Sequence, residues 1–212
     1  MARLVVIEGL DGAGKRTLTE KLTAALAERG ASVGRLAFPR YGVDVHADLV
    51  HDALHGRLGD LAGSVYGMAM LFALDRRAAA DAIRSDLARH DVVLLDRYVA
   101  SNAAYGAARL HQDAAGPFVR WVRELEIDRF GLPVPDAHLL LRVSPELAAS
   151  RSEHRARTES DRGRDDWEVD GGLQARCAAV YDQLAEEGWL APWHVLDGTS
   201  TMDYSALAEE IS

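Results

Sequence analysis

Residues Gly9-Leu10-Asp11-Gly12-Ala13-Gly14-Lys15-Arg16-Thr17 follow a run of strand formers, Arg3 to Glu8, and open into helix-forming sequence. Glycines at positions 9, 12 and 14 allow a tight turn whose N–H groups meet an anion without Cβ clashes. The N-terminus of the following helix adds partial positive charge, and Lys15 can reach outer phosphates. Gly9, Gly14 and Lys15 meet the spacing Gly-x4-Gly-Lys in the strand–loop–helix setting that a phosphate-binding P-loop requires. One position differs. Arg16 stands directly after the lysine, where Ser or Thr ordinarily holds Mg²⁺, and a hydroxyl arrives one place later at Thr17.

Further groups suited to an anionic, planar ligand recur downstream. Phe38-Pro39-Arg40-Tyr41-Gly42 forms an abrupt loop at a strand's carboxyl end, the edge where open α/β sheets bind ligands; an ordinary Pro-Gly turn with an exposed arginine is the alternative. Phe72 and Arg76 are four apart on a helical pattern and project from one face, so ring and guanidinium could sandwich a base; taken alone, the pair favours a core phenylalanine beside a surface arginine. In Asp96-Arg97-Tyr98 the acidic residue ends an apolar strand, the place of a carboxylate near a Mg²⁺–phosphate cluster. Arg97 suits a bidentate phosphate contact. Ser101, Asn102 and Tyr105 fall at i, i+1 and i+4 of the next helix, and Asn102 offers the donor-plus-acceptor pair of a base edge or, alternatively, a helix cap. From Arg151 to Arg164 five arginines occur in fourteen residues with few apolar side chains. That pattern predicts a mobile basic lid over roughly residues 150–166, or else a solvated charged loop.

The elements that must position these groups follow from periodicity. Strands are expected at 3–8, 32–38, 91–98, 137–143 and 193–196, near-continuously apolar as in a parallel sheet covered on both faces. Helical spacing predicts helices from Lys15 to Gly30, over 43–54, 62–89 (Tyr66, Met70, Ala73 and Leu74 inward), 99–105, 118–130, from Pro145 with Ser144 as N-cap, from Asp166 onward through Leu184, and over 204–211. No repeat or low-complexity linker divides the chain, so one α/β domain over 1–212 is expected.

Composition narrows the classes. The net charge of −9 over 212 residues supplies no global positive field for nucleic acid. Cys177 is the single cysteine, so no intramolecular disulfide can form, which fits a reducing compartment. There is no signal-like start and no apolar run of membrane-spanning length, and a cytoplasmic location is the expectation. The histidines show no metal-binding grouping with cysteine or acidic partners.

Together the segments Glu8-Gly9-Leu10-Asp11-Gly12-Ala13-Gly14-Lys15, Phe38-Pro39-Arg40, Phe72 to Arg76, Asp96-Arg97-Tyr98, Ser101-Asn102-Ala103-Ala104-Tyr105 and the arginine lid resemble the thymidylate kinase family over nearly the whole chain. The resemblance implies a P-loop NTPase fold with a five-stranded parallel sheet flanked by helices, a homodimer, and transfer of the γ-phosphoryl group of ATP to dTMP with Mg²⁺. It implies that Gly9 to Thr17, with Arg151, Arg155 and Arg162, surround ATP. Lys15, Arg16, Asp11, Arg97 and Arg155 become the catalytic set. The nucleotide acceptor falls to Asp11 at its 3′-hydroxyl, Arg40 and Arg97 at its phosphate, Phe72 stacked on thymine, Arg76 at O4, Asn102 at the Watson–Crick edge and Tyr105 against C2′. Phe38, Pro39, Tyr41, Ser101 and Trp167 complete that pocket, Trp167 in place of the family's usual tyrosine. Asp11, Glu168 and Asp96 are the metal candidates, directly or through water.

Two other readings share parts of this pattern. A deoxynucleoside kinase shares a P-loop, an Asp-Arg pair and an arginine lid, but its hydroxyl acceptor needs a carboxylate base where this chain has Phe38-Pro39-Arg40. A GTPase-type switch needs a guanine motif with lysine, and no lysine follows Lys21.

Overall fold

The computed structural model describes residues 2–158 and 171–212, and the backbone alone for 155–158 and 171. Five strands, β1 (Arg3–Glu8), β2 (Val33–Ala37), β3 (Val92–Asp96), β4 (Ala137–Arg142) and β5 (Trp193–Asp197), form one all-parallel sheet in the order β2-β3-β1-β4-β5. Each strand is joined to the next through helices, as parallel pairing demands. The helices are α1 (Lys15–Glu28), α2 (Val45–Leu54), α3 (Val65–Arg89), α4 (Val99–Arg109), α5 (Pro117–Arg123), α6 (Pro145–Thr158), α7 (Gly171–Glu186) and α8 (Tyr204–Ile211).

Helices cover both faces, and Leu4 to Glu8, Val92 to Leu95 and Ala137 to Leu141 are buried throughout. The P-loop strand β1 sits at the centre of the sheet, with β3 on one side and β4 on the other. The carboxyl ends of β1, β2 and β3 therefore bring Gly9, Phe38 and Arg97 to one edge. A smaller apolar cluster, Val50, Ala53, Leu54 and Met68, joins α2 to α3, with Phe72 packed against it.

Several local expectations need correction. The helix expected over 118–130 is α5 followed by a wider π turn, Glu124–Arg129, in which Phe130 N–H donates to Leu125 O at 3.0 Å. Helices α2 and α3 start later than periodicity suggested, because Asp44 and Ser64 cap them by accepting from His46 N–H and Gly67 N–H. Of the inward set on α3 only Ala73 is fully buried. Tyr66 is 44% exposed and lies edge-on to Phe118 and Trp121. Residues 150–158 of the expected lid are helical, as the end of α6, and residues 159–166 lie outside the described residues.

Helix α4 packs closely on α5 through Gly106, where an added Cβ would lie 2.0 Å from Phe118 Cε1. Gly106→Ala is expected to lower stability by about 1–3 kcal/mol through overpacking, read as a lower denaturant midpoint at unchanged slope.

Candidate active site

The turn after β1 places Gly9, Gly12 and Gly14 at φ of +144°, +85° and +102°, conformations that exclude ordinary side chains. Close approach adds a second reason at Gly12, where a Cβ would stand 2.1 Å from Ala148 O, so α6 rests directly on the loop. Arg151 from the same helix donates to Ala13 O at 3.4 Å. Lys15 is 8% exposed, and its Nζ donates to Gly9 O at 3.1 Å and Leu10 O at 2.9 Å. Burial, then the charge of Arg97, push the Lys15 ammonium down to about 8, with Asp11, Asp96 and Glu8 opposing part of the shift.

That value gives a pH prediction. Below about 8 the free enzyme carries Lys15 as a cation fit for phosphate, and above it the group is neutral. The kcat/KM for ATP, which reports free-enzyme ionisations, should fall as pH rises through about 8. Initial rates with ATP and acceptor both subsaturating measure it, and a profile flat to about pH 10 contradicts the assignment.

Opposite the loop stands Arg97, whose φ of +67° is strained for a side chain this bulky. Its N–H is pinned to Ile7 O at 2.9 Å, and the turn carries the guanidinium across to the P-loop. There NH2 donates to Asp11 Oδ1 at 2.6 Å and NH1 to Ser101 Oγ at 3.0 Å, over the Tyr105 ring. Tyr105 Oη donates to Asp11 Oδ2 at 2.9 Å and accepts Asp11 N–H at 3.2 Å. Burial would raise the Asp11 pKa, but the Arg97 and Lys15 charges hold the carboxyl well below the usual carboxylate range. Asp11 is thus ionised, with both oxygens engaged.

Sequence reading passed over the group beneath this cluster. Glu8, fully buried, accepts from Tyr98 N–H and Ser101 N–H at 3.0 and 3.1 Å through Oε1, and from Ser101 Oγ and Tyr181 Oη at 2.6 and 2.8 Å through Oε2. It caps α4 from β1 and locks Arg97 and Ser101 to the P-loop strand. A glutamate closing an apolar strand immediately before Gly9 was the available signal. Ser101 spends its hydroxyl on Glu8 and Arg97 and orients the arginine.

After β2 comes a cis Phe38–Pro39 peptide. Arg40 donates through Nε to Asp75 Oδ1 at 2.7 Å and through NH2 to Asp44 Oδ2 at 3.0 Å and Asp75 O at 2.8 Å, leaving NH1 without a hydrogen bond among the described residues. Tyr41 is largely exposed. The reading of Arg76 as a surface arginine fails. It is 2% exposed, with Nε and NH2 on Glu126 at 2.5 and 2.8 Å. Asn102 lies inside α4, not at a cap, and donates to Ala69 O at 3.0 Å and Glu126 Oε1 at 2.8 Å. Glu126 and Asp75 had no sequence signal, since only the packing of distant elements makes them partners.

Arg16 sits at the start of α1 but its side chain is 85% exposed and paired with Glu20 at 3.0 Å; Thr17 is also exposed. Arg162, Trp167 and Glu168, and the Arg155 side chain, lie outside the described residues. Among the described residues no cluster of three or more His, Cys, Asp or Glu could cage a metal. Asp96, half-buried at the end of β3, has no hydrogen bond on its carboxylate among the described residues and fits a cation held mainly by phosphates and water. No described helix is long and apolar enough to cross a membrane.

Comparison with known proteins points the same way. The family model described as thymidylate kinase matches residues 7–197. The chain is 56% identical over 193 residues to the thymidylate kinase of Mycobacterium tuberculosis (strain ATCC 25618 / H37Rv), covering 91% of this chain and 90% of that one. It is 36% identical over 202 residues to the thymidylate kinase of Xanthomonas oryzae pv. oryzae (strain PXO99A), covering 94% and 78%. A thymidylate kinase of Caenorhabditis elegans is 28% identical over 212 residues, covering 94% and 84%. A match that runs from the P-loop strand to the last strand, with an identity of 56% across nine-tenths of the sequence, makes this chain a member of the thymidylate kinase family.

Proposed function

We propose that the chain transfers the γ-phosphoryl group of ATP to the 5′-phosphate of dTMP, giving dTDP and ADP, with the residues of this sheet edge. The observation that carries the reading is the 2.6 Å contact between Arg97 and Asp11. It joins an arginine suited to an acceptor phosphate to the loop suited to the donor's phosphates, so the two substrates would meet there.

The acceptor brings an ionised phosphate oxygen as nucleophile, so no general base is demanded. Arg97 and Arg40 hold that phosphate. Their carboxylate partners, Asp11 for Arg97 and Asp75 and Asp44 for Arg40, fix both guanidinium groups before the nucleotide arrives. Asp11, an acceptor only, takes the 3′-hydroxyl, and Tyr105 fills the space at C2′. Phe72 stacks on thymine, while Arg76 and Asn102 read its edge. Around them stand Phe38, Pro39 and Tyr41, and the family resemblance adds Trp167. Lys15 exchanges the carbonyls of its own loop for phosphate oxygens, and Arg151, Arg155 and Arg162 add positive charge as negative charge moves to the β–γ bridge. Arg16 adds a weaker field, because Glu20 faces it.

Mg²⁺ would be held by the substrate phosphates and Asp96, with Asp11 and Glu168 acting through water. When bound, it neutralises charge on the β- and γ-phosphates. By family resemblance the chain is also a cytoplasmic homodimer, which sedimentation would read as twice the chain mass.

The test is ADP release with ATP and Mg²⁺, comparing dTMP with thymidine. Turnover with dTMP and none with thymidine supports the reading. Preference for thymidine makes the acceptor a hydroxyl and overturns it.

A further inference from the structure

Glu126 sits in the π turn Glu124–Arg129, fully buried, fifty residues from Arg76 and twenty-four from Asn102, and it bonds both. The wider turn brings Leu125 and Glu126 inward together, while Glu124 and Asp128 stay in solvent. Both Asn102 neighbours, Ala69 O and Glu126 Oε1, are acceptors only. The amide must therefore turn its NH₂ toward them, since the flipped amide would set oxygen against oxygen at 3.0 and 2.8 Å. Both amide protons are consumed inside the protein. Arg76 likewise spends Nε and NH2 on the same carboxylate. Two polar positions are left without a hydrogen bond among the described residues: Arg76 NH1, a donor, and Asn102 Oδ1, an acceptor.

We propose that Glu126 is a positioning residue that fixes the hydrogen-bond polarity of the base site, so that Arg76 presents only a donor and Asn102 only an acceptor. The inference rests on the assignment of these two side chains to the base. One donor beside one acceptor matches a C=O next to an N–H, the O4 and N3–H edge of thymine and uracil. Cytosine offers an amino group and a bare ring nitrogen there, and mismatches at both. Adenine mismatches in the same way, whereas guanine matches in polarity and is refused only by size. A buried ion pair is weak evidence for stability, because apolar side chains of similar volume serve as well. What apolar groups could not supply is this orientation.

Glu126→Gln keeps the shape and gives Asn102 a neighbour that can donate as well as accept, so Ala69 O alone still opposes the flipped amide and its population rises. The ratio of kcat/KM for dTMP over dCMP is expected to fall about 10-fold, at unchanged KM for ATP. Glu126→Asp, which keeps an acceptor-only partner, is expected to hold the ratio within about threefold even where KM for dTMP rises. A stable Glu126→Gln enzyme with the parental ratio overturns the proposal and leaves the kinase reading intact. A parent that does not turn over dTMP overturns that reading instead.

If Glu126→Gln does not fold, the parent answers directly. Asn102 is the only asparagine in the chain, so asparagine-selective ¹⁵N labelling yields one side-chain NH₂ signal. Amide protons already protected from exchange without nucleotide, and unchanged by dTMP, support the proposal. Protons that exchange freely until dTMP is added overturn it.

Discussion

Lys15→Met is expected to lower kcat about a thousandfold, roughly 4 kcal/mol of transition-state stabilisation, with the fold intact. The side chain is nearly buried, and among the described residues its Nζ bonds carbonyls of its own loop. Methionine fills the same channel without an ammonium to desolvate, so melting temperature should hold or rise. What disappears is the buried cation of the P-loop. Among the described residues its neighbours are already engaged: Arg97 with Asp11 and Ser101, Arg151 with Ala13 O, and Arg16 outward with Glu20. Steady-state rates together with thermal melting check the claim, and a loss under about tenfold would remove Lys15 from the catalytic set.

Arg97→Met should act on the other substrate. Removing one member of this part-buried, hydrogen-bonded charge pair costs about 2–4 kcal/mol, here a loss of roughly 30- to 1,000-fold in kcat/KM for dTMP. Two effects add. The acceptor phosphate loses its bidentate partner, and Asp11 is left with Tyr105 alone. Acid tolerance should shift as well. Arg97 is the leading charge holding the Asp11 carboxyl down against burial. Without it the Asp11 pKa rises, and the stability that ionised Asp11 contributes is lost at a higher pH as acid is added. KM for ATP should move little. Equal losses toward ATP and dTMP would mean that the substitution had only disordered the P-loop.

The sheet and its loaded edge were legible because parallel strands are buried on both faces and read as apolar runs, and because the P-loop needs glycine where φ is positive. Strand bounds came within a residue or two. Helix starts at α2 and α3 were read too early, since caps at Asp44 and Ser64 decide them and periodicity does not. Less legible were the faces of α3, where Tyr66 lies outward against Phe118 and Trp121. Least legible were the carboxylates behind the site. Glu8, Asp75 and Glu126 acquire their meaning only when β1 meets α4, when the β2 loop meets α3, and when the π turn meets α3 and α4. Local sequence names the arginines proposed to touch substrate, but not the acids that aim them.

The central claim is that donor and acceptor phosphates meet at the Arg97–Asp11 contact. A thymidine and an adenosine joined 5′ to 5′ through an oligophosphate bridge tests it, with inhibition measured against each substrate in turn. Adjacent sites predict competition with both ATP and dTMP, and tighter binding than either nucleotide alone, because the second nucleotide binds intramolecularly. Competition with ATP alone, with dTMP still binding alongside, would show that the two phosphates do not meet there.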